Sequence, residues 1–224
     1  PIYSGPPSPP ISIADAPDGE PALRILRPGG GTTANNAFIY YNNASGELAG
    51  QTAADLSITS TFTAVFADSS NSSRYGFMVR ASAANYSASK GYYIAFTPNG
   101  GGSLALYDSP TSHSVNGTVL ASEAVSLTSG ENYIMKLSAI GDVISASIWS
   151  EDGLTELASI AYTGARTNEG YFGIRSGFAN TNSPMFVKDL SFEVIPEPAT
   201  MAFAFAGGTA LLVSLKRRRN RKEN

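Results

Sequence analysis

Cysteine is absent from the 224-residue chain, and histidine occurs only once, at position 113. Without cysteine the chain has no disulfide framework and no thiolate metal site. With His113 alone, a histidine-based zinc site or a serine–histidine–aspartate triad is difficult to build. Charged residues are also few, at 15% of the chain. Together with abundant Ser, Thr, Asn and Gly, these absences favour an exported β protein over a metalloenzyme or a triad hydrolase.

Positive charge is concentrated near the C-terminus. The basic residues of this cluster are Lys216, Arg217, Arg218, Arg219, Arg221 and Lys222. Residues 1–215 contain only nine Lys and Arg against 17 Asp and Glu. A surface this acidic repels phosphate backbones, so we expect no nucleic acid partner.

A Pro-Glu-Pro motif and an uncharged segment precede the basic cluster. The motif is Pro196, Glu197 and Pro198, and the uncharged segment covers residues 199–215. As a helix that segment would be roughly 25 Å long, the lower end of what spans a bilayer. Since positive flanks stay in the cytoplasm, the basic residues 216–222 predict that everything before Pro196 lies outside it.

This order of parts resembles the PEP-CTERM sorting signal of Gram-negative bacteria, over residues 194–224. The resemblance implies that exosortase, a membrane protease-transpeptidase, recognises and processes the tail. It also implies an exported precursor anchored in the inner membrane, followed by display at the cell surface or release into the extracellular matrix. The alternative is a plain single-pass anchor with an incidental Pro-x-Pro. Export needs a signal peptide, and Pro1 opens no such segment, so we expect that one was removed or left out.

The rest of the chain is expected to be a leader followed by one domain. Residues 1–10 contain five prolines and no periodic pattern, which predicts an extended leader. Residues 11–195 are expected to form an all-β domain, because apolar and polar residues alternate with period two and no amphipathic helix appears. The predicted strands cover residues 56–66, 75–81, 91–97, 103–108, 119–127, 132–139, 143–149, 157–162, 170–176 and 185–194.

Several strand motifs resemble those of concanavalin A-like, laminin-G-like jelly rolls of bacterial surface proteins. They include Tyr75-Gly-Phe-Met-Val-Arg80, Gly91-Tyr-Tyr-Ile-Ala-Phe96 and Gly170-Tyr-Phe-Gly-Ile-Arg175. The resemblance covers residues 50–195 and implies a jelly-roll sandwich. Because these motifs consist mostly of core apolar residues and turns, they support a fold more than a function.

Acidic residues do not form a catalytic pattern in the sequence. Glycoside hydrolases need two carboxylates about 5–10 Å apart across a cleft, and no predicted strand carries acidic residues with period two. Glu151 and Asp152 occupy a predicted turn, while Asp15, Asp18 and Glu20 lie in the Pro/Gly-rich beginning. We therefore expect no enzyme activity.

A sugar site combines an exposed aromatic ring with a few polar groups. If Tyr92 faces the core, strand alternation turns Tyr93 to the other face. By the same parity Arg80, Lys136 and Trp149 lie on polar faces. These four residues are the candidate glycan-binding set, although a tryptophan at a strand end often simply covers the sandwich edge.

Calcium is the one cofactor that the laminin-G resemblance suggests. Loop oxygens that could bind it belong to Asp68, Asn99, Asp108, Asp142 and Asp189. Their spacing matches no fixed calcium loop. The alternative is that they are solvated turn residues accepting backbone N–H bonds.

The leading hypothesis is an exported, non-enzymatic surface or extracellular-matrix protein, sorted by its tail and contributing to biofilm. Its partners would be exosortase, the membrane and a polysaccharide. The first alternative is a carbohydrate-binding module with a specific glycan ligand. The second, weaker alternative is a glycoside hydrolase.

Overall fold

Apolar and polar residues alternate along most strands, and the strands assemble into two antiparallel sheets that bury their apolar faces against each other. The structure, a computed structural model, describes residues 2–3, 11–25, 35–40, 52–66, 73–82, 90–109, 117–178 and 183–195. The chain divides into two units, residues 1–193 and residues 194–224. The sheets belong to the first unit, and all but two residues of the second lie outside the described residues.

Fourteen strands are described. They are β1 (Ile2–Tyr3), β2 (Ile11–Asp15), β3 (Pro21–Ile25), β4 (Asn35–Tyr40), β5 (Leu56–Ala64), β6 (Arg74–Ala81), β7 (Gly91–Thr97), β8 (Ser103–Ser109), β9 (Thr118–Ala124), β10 (Asn132–Ile140), β11 (Val143–Ser150), β12 (Glu156–Thr163), β13 (Tyr171–Phe178) and β14 (Met185–Val194). The only helical element in the described part is a single 3₁₀ turn, Asn99–Gly101, between β7 and β8.

Each sheet contains seven strands. Sheet A has the order β1-β4-β13-β6-β7-β8-β9, and sheet B has the order β12-β11-β10-β5-β14-β3-β2. Strands that are distant in the chain are neighbours in both sheets, as in a jelly roll, and β14 lies between β5 and β3 in the interior of sheet B. The predicted all-β sandwich is confirmed.

The hydrophobic core fills the space between the two sheets. Sheet B contributes residues such as Phe62 and Tyr133, whose ring centroids are 6.2 Å apart. Sheet A contributes Tyr75 and Phe96, which stack at 6.4 Å. Along β5 the buried side chains alternate with partly exposed Ser and Thr, which is the pattern that predicted this strand.

One side of the sandwich is closed by contact between the edge strands of the two sheets. The Ser159 backbone N–H of β12 donates to Glu123 Oε2 of β9, at 2.7 Å. This bond uses a backbone donor that an edge strand would otherwise leave open to another chain.

The N-terminal segment adds four strands, β1 to β4, that are not among the strands predicted from alternation. Ile2 pairs with Tyr40 and Tyr3 pairs with Ile39, so the expected leader contributes β1 to sheet A. β2 forms the outer edge of sheet B, where Ile13 is 73% exposed. β2 is too exposed to bury a full apolar face, and that is why the sequence pattern there is weak.

The C-terminal predictions fall outside the described residues. These are the Pro-Glu-Pro motif, the transmembrane helix 199–215 and the basic residues 216–222. Within the described ranges, no helix is long and apolar enough to cross a membrane. The terminal helix therefore stays a prediction.

Arg80 joins sheet A to the connections of sheet B at one end of the sandwich. Its guanidinium donates to the carbonyls of Ala54 (2.8 Å), Gly141 (2.7 Å) and Arg166 (2.6 Å), and it contacts Asp55 Oδ1 at 3.4 Å. The residue is 2% exposed and has a φ of 51°, which is uncommon for a residue other than glycine. Backbone strain of this kind persists only where the surroundings determine it, and here the hydrogen bonds do so.

Replacing Arg80 with Ala should lower the free energy of unfolding by about 3–5 kcal/mol, because it leaves the poorly solvated Asp55 carboxylate without its counter-ion and three carbonyls without this donor. The matched control is Arg166→Ala, which breaks a more exposed pair with Asp108 and should cost about 1 kcal/mol or less. Urea unfolding followed by the fluorescence of Trp149 measures both. Equal losses in the two variants would contradict the role of Arg80.

Candidate functional site

The structure distributes the predicted glycan-binding residues over separate parts of the sandwich. Lys136 and Trp149 lie together on the outer face of sheet B, where Lys136 Nζ is 4.3 Å from the centroid of the indole. Tyr93 lies on the outer face of sheet A and is fully buried. Arg80 is also buried, and its hydrogen bonds hold the sandwich together. The four residues therefore do not form one exposed surface.

The outer face of sheet A carries a polar and aromatic cluster that is separate from the core. We name it the sheet A face and define it by Arg74, Tyr93, Thr97, Tyr107 and Arg175. The rings of Tyr93 and Tyr107 stack with centroids 6.0 Å apart. The Arg175 guanidinium lies 5.0 Å from the Tyr93 centroid, and that of Arg74 lies 4.8 Å from the Tyr107 centroid. Each tyrosine ring is thus held by a neighbouring ring and by a cation.

Strand register explains how these side chains come together. Tyr93 is directly opposite Tyr107 in the β7–β8 pair. Both alternate with core residues of their own strands, so both point away from the space between the sheets. A row of small residues lies next to the tyrosines, because Gly76 is opposite Ala95 and Ala95 is opposite Ala105. Because Gly76, Ala95 and Ala105 have short side chains or none, the sheet A face is depressed along this row relative to the tyrosines. We name these three residues the low row.

Gly76 is required in this row by the close approach of the neighbouring strand. A Cβ at this position would lie 1.8 Å from the Ile94 carbonyl oxygen. No side chain can be accommodated there without moving the backbone of β7. The low row is therefore built into the sheet and does not depend on the choice of nearby side chains.

Two hydroxyl groups of the sheet A face are buried without a hydrogen-bond partner among the described residues. They are Tyr93 OH and Thr97 Oγ1, on residues that are 0% and 8% exposed. Burial raises the pKa of the Tyr93 phenol further above its ordinary value, so at neutral pH the hydroxyl can both donate and accept. An unpaired buried hydroxyl costs about 1–3 kcal/mol, and such groups usually indicate water, an ion or a ligand.

Arg175 is the most deeply buried charged residue of this face, with 1% of its surface exposed. Its Nη1 lies 3.2 Å from Met78 Sδ and 3.4 Å from Ser109 Oγ. A buried guanidinium is held rigidly, and here it fixes the position of the Tyr93 ring as well. The site is therefore rigid on the side formed by β13, β6 and β7.

Sequence reasoning found Tyr93 but missed the other four members of the sheet A face. A usable signal was present, because Tyr107 and Arg175 alternate with the core residues Leu106 and Ile174. What the sequence did not contain was the pairing of β13 with β6, which brings Arg175 next to the tyrosines.

The structure also brings together two carboxylates that the sequence analysis considered separately. Asn132 Nδ2 donates to Asp18 Oδ2 and to Glu151 Oε1, at 2.7 Å in each case. Asp18 in addition accepts a bond from Lys188 Nζ. The bonds from Lys188 and Asn132 hold the pKa of Asp18 well below its ordinary value, so this carboxylate stays ionised. A glycosidase pair needs one carboxyl group with a raised pKa as the general acid, and Asp18 has the opposite shift.

The calcium candidates are dispersed. Both carboxylate oxygens of Asp108 accept bonds from Arg166, at 2.8 and 3.1 Å. Asp189 accepts from Thr61 Oγ1 at 3.4 Å, Asn99 lies in the 3₁₀ turn, and Asp142 lies in the turn between β10 and β11. Asp68 lies outside the described residues. In the described part of the chain, no group of three or more His, Asp or Glu side chains could hold a metal ion.

No family model and no curated protein matches the sequence. Solved structures do match the fold. The carbohydrate-binding module CBM66 from Bacillus subtilis aligns with a TM-score of 0.54 and 14% identity, covering 82% of this chain and 91% of that one. A legume lectin-like domain from Entamoeba histolytica aligns with a TM-score of 0.59 and 9% identity, covering 87% and 90%.

The exoplasmic/lumenal domain of VIP36 in its Ca²⁺-bound form aligns with a TM-score of 0.58 and 12% identity, covering 78% of this chain and 79% of that one. Enzymes match as well, among them alginate lyase A1-II′, with a TM-score of 0.52, 10% identity and coverage of 82% and 83%. At these identities the likeness shows the fold alone, and the fold agrees with the predicted concanavalin A-like jelly roll.

The shifted pKa of Asp18 predicts a loss of stability in acid. A depressed pKa means that the carboxylate stabilises the fold above its unfolded pKa, near 3.8, and that this contribution is lost as the pH falls further. Asp18→Asn should be less stable than the natural protein at neutral pH, and the difference should shrink progressively as the pH falls from about 5 to about 2. Urea unfolding across that range measures the difference, and a constant gap would contradict the assignment.

Proposed function

We propose that the sandwich is a non-catalytic carbohydrate-binding module whose glycan site is the sheet A face. The observation that carries this proposal is the pair of buried hydroxyls of Tyr93 and Thr97, which have no hydrogen-bond partner in the described part of the chain, beside the stacked rings of Tyr93 and Tyr107. Sugar hydroxyls donate and accept hydrogen bonds, and the C–H faces of a sugar ring pack against aromatic side chains. A carbohydrate therefore supplies both kinds of contact that this face offers.

The residues of the sheet A face have distinct roles in this proposal. Tyr93 OH and Thr97 Oγ1 bond to hydroxyls of the sugar. Arg74 and Arg175 hold the tyrosine rings through cation–π contacts and keep them from reorienting. Because these groups are fixed before binding, little conformational entropy is lost when a ligand binds.

Binding without catalysis is supported by the charge state of the acidic residues and by the structural matches. Asp18 is kept ionised by Lys188 and Asn132 and is unsuited to act as a general acid. The matched proteins include a carbohydrate-binding module and lectin-like domains, while the matched lyase supports the weaker alternative of an enzyme.

The proposal includes export and sorting through the C-terminal tail. Pro196, Glu197 and Pro198 would stay extended outside the membrane, because proline disfavours helix at its own position and at the one before it. Residues 199–215 would span the inner membrane, and residues 216–222 would stay in the cytoplasm. Processing by exosortase would then release the module to the cell surface or the extracellular matrix, where it binds polysaccharide.

The sheet A face predicts opposite behaviour for two tyrosine-to-phenylalanine variants. Tyr93→Phe should weaken glycan binding about tenfold without lowering the stability of the ligand-free protein, because the lost hydroxyl has no partner among the residues that the structure describes. Tyr75→Phe is the matched control. Its hydroxyl donates to the Val65 carbonyl at 3.1 Å, so it should lose about 1 kcal/mol of stability and keep its affinity.

A glycan array identifies the ligand, and titration calorimetry in Ca²⁺ and in EDTA then gives the affinities of the variants. If Tyr93→Phe binds as tightly as the natural protein, the sheet A face is not the site. If no glycan on the array binds, the proposed function itself is contradicted.

Replacing Pro196, Glu197 and Pro198 together with Ala should block processing of the tail, because the membrane helix can then extend outward. Full-length protein should accumulate in the inner membrane of a host that carries exosortase. Glu193→Ala is the control, since it changes an exposed residue of β14 and leaves the motif intact. Mass spectrometry of the mature C-terminus gives the result. Natural protein that still ends at Asn224 at its final location would show that the tail is only an anchor.

A further inference from the structure

The outer face of sheet B contains an open groove lined by serine and threonine hydroxyls together with aliphatic carbons. Cross-strand pairing places Ser57, Ser138 and Ser145 in one row and Thr59, Lys136 and Ser147 in the next. The groove continues across β12 and has a volume of about 480 Å³. Strands usually carry β-branched or aromatic residues on such positions, and serine there leaves a shallow floor of hydroxyls.

Trp149, the only tryptophan of the chain, lies in the cross-strand row after that of Lys136 and Ser147, beside the groove and not among its lining residues. Its Nε1 donates to Ser147 Oγ at 2.7 Å, which fixes the indole against the sheet. Lys136 Nζ lies over the ring, 4.3 Å from its centroid, and the Lys136 side chain is exposed. A cation–π contact at an exposed position is weak, so a ligand can displace the ammonium from the ring.

The charges of the groove balance. Lys136 is its one lysine and Glu156 its one acidic residue, and the remaining polar side chains are hydroxyls of Ser and Thr. A neutral ligand rich in hydroxyls complements such a surface better than a polyanion or a polycation does. The width of three strands also favours an extended chain over a compact small molecule.

We propose that sheet B carries a second carbohydrate surface, which takes a neutral polysaccharide chain along the groove. One sugar ring packs on the indole of Trp149, and Lys136 moves aside to donate to its hydroxyls. The following sugars bond to Ser138, Ser145 and Ser147. This surface lies on the opposite sheet from the sheet A face and does not depend on it. A module with two such faces can bridge two polysaccharide chains, and a matrix component would act in this way.

Affinity electrophoresis of the full-length protein in detergent tests the proposal, with soluble xylan, dextran and laminarin as neutral probes and alginate as the acidic comparison. Trp149→Ala should raise the dissociation constant for at least one neutral probe by about tenfold. Ser145→Val should do the same, because it fills the groove and removes a hydroxyl. Since valine favours strands, this second variant keeps the test valid if Trp149→Ala folds poorly.

The variant Tyr93→Phe distinguishes binding at the sheet A face from binding at the sheet B groove. If it weakens binding while Trp149→Ala and Ser145→Val bind all neutral probes like the natural protein, the sheet B proposal is overturned and the sheet A proposal stands. Retardation by alginate alone, or by no probe, also overturns the sheet B proposal. Loss of neutral-probe binding in Trp149→Ala and Ser145→Val, with Tyr93→Phe unchanged, supports the sheet B surface and argues against the sheet A face.

Discussion

The fold depends on polar side chains at the two ends of the sandwich, where Arg80 joins sheet A to sheet B and Asn132 joins elements of sheet B to one another. At one end, the Arg80 guanidinium bonds to connections before β5, between β10 and β11, and after β12. At the other end, Asn132 accepts a bond from Thr63 at 2.5 Å and donates to Asp18 and Glu151. The chain has no disulfide, so these buried bonds and the apolar core must hold the sheets in register. A buried guanidinium is stable there only because nearly all its donors are used.

Hydrogen bonding within the fold distinguishes Arg80 and Asn132 from the hydroxyls of Tyr93 and Thr97. Arg80 and Asn132 are both buried, and their polar atoms bond within the sandwich. Tyr93 and Thr97 are buried to a similar degree, but the structure describes no partner for their hydroxyls. A fold gains nothing from an unpaired hydroxyl, since phenylalanine or valine would pack equally well. These two hydroxyls are the observation on which the proposed glycan site rests.

The sequence predicted the fold well because period-two alternation is a local property. The strands β5 and β10 to β12 each bury one face, and their alternating residues predicted them. The strands β6 to β8 are buried on both faces, and their mostly apolar sequences still predicted strands. The edge strand β2 is too exposed to produce an alternating pattern. The candidate site was predicted less completely. Alternation along β7 predicts which face of the sheet Tyr93 occupies, but it does not predict which strands lie beside β7. Arg175 reaches Tyr93 through the β13–β6 pairing, a contact between residues far apart in the chain.

The two outer faces differ in a way that follows from their surroundings. On sheet A the polar groups are buried and rigid, so they can discriminate among sugars by the direction of single hydrogen bonds. On sheet B the serines and Trp149 are more exposed, and hydrogen bonds to exposed hydroxyls compete with water. Affinity on sheet B must therefore come from many weak contacts along a chain, whereas affinity on sheet A can come from a few desolvated ones. A module with this asymmetry would recognise one glycan through sheet A and adhere more generally to polysaccharide through sheet B.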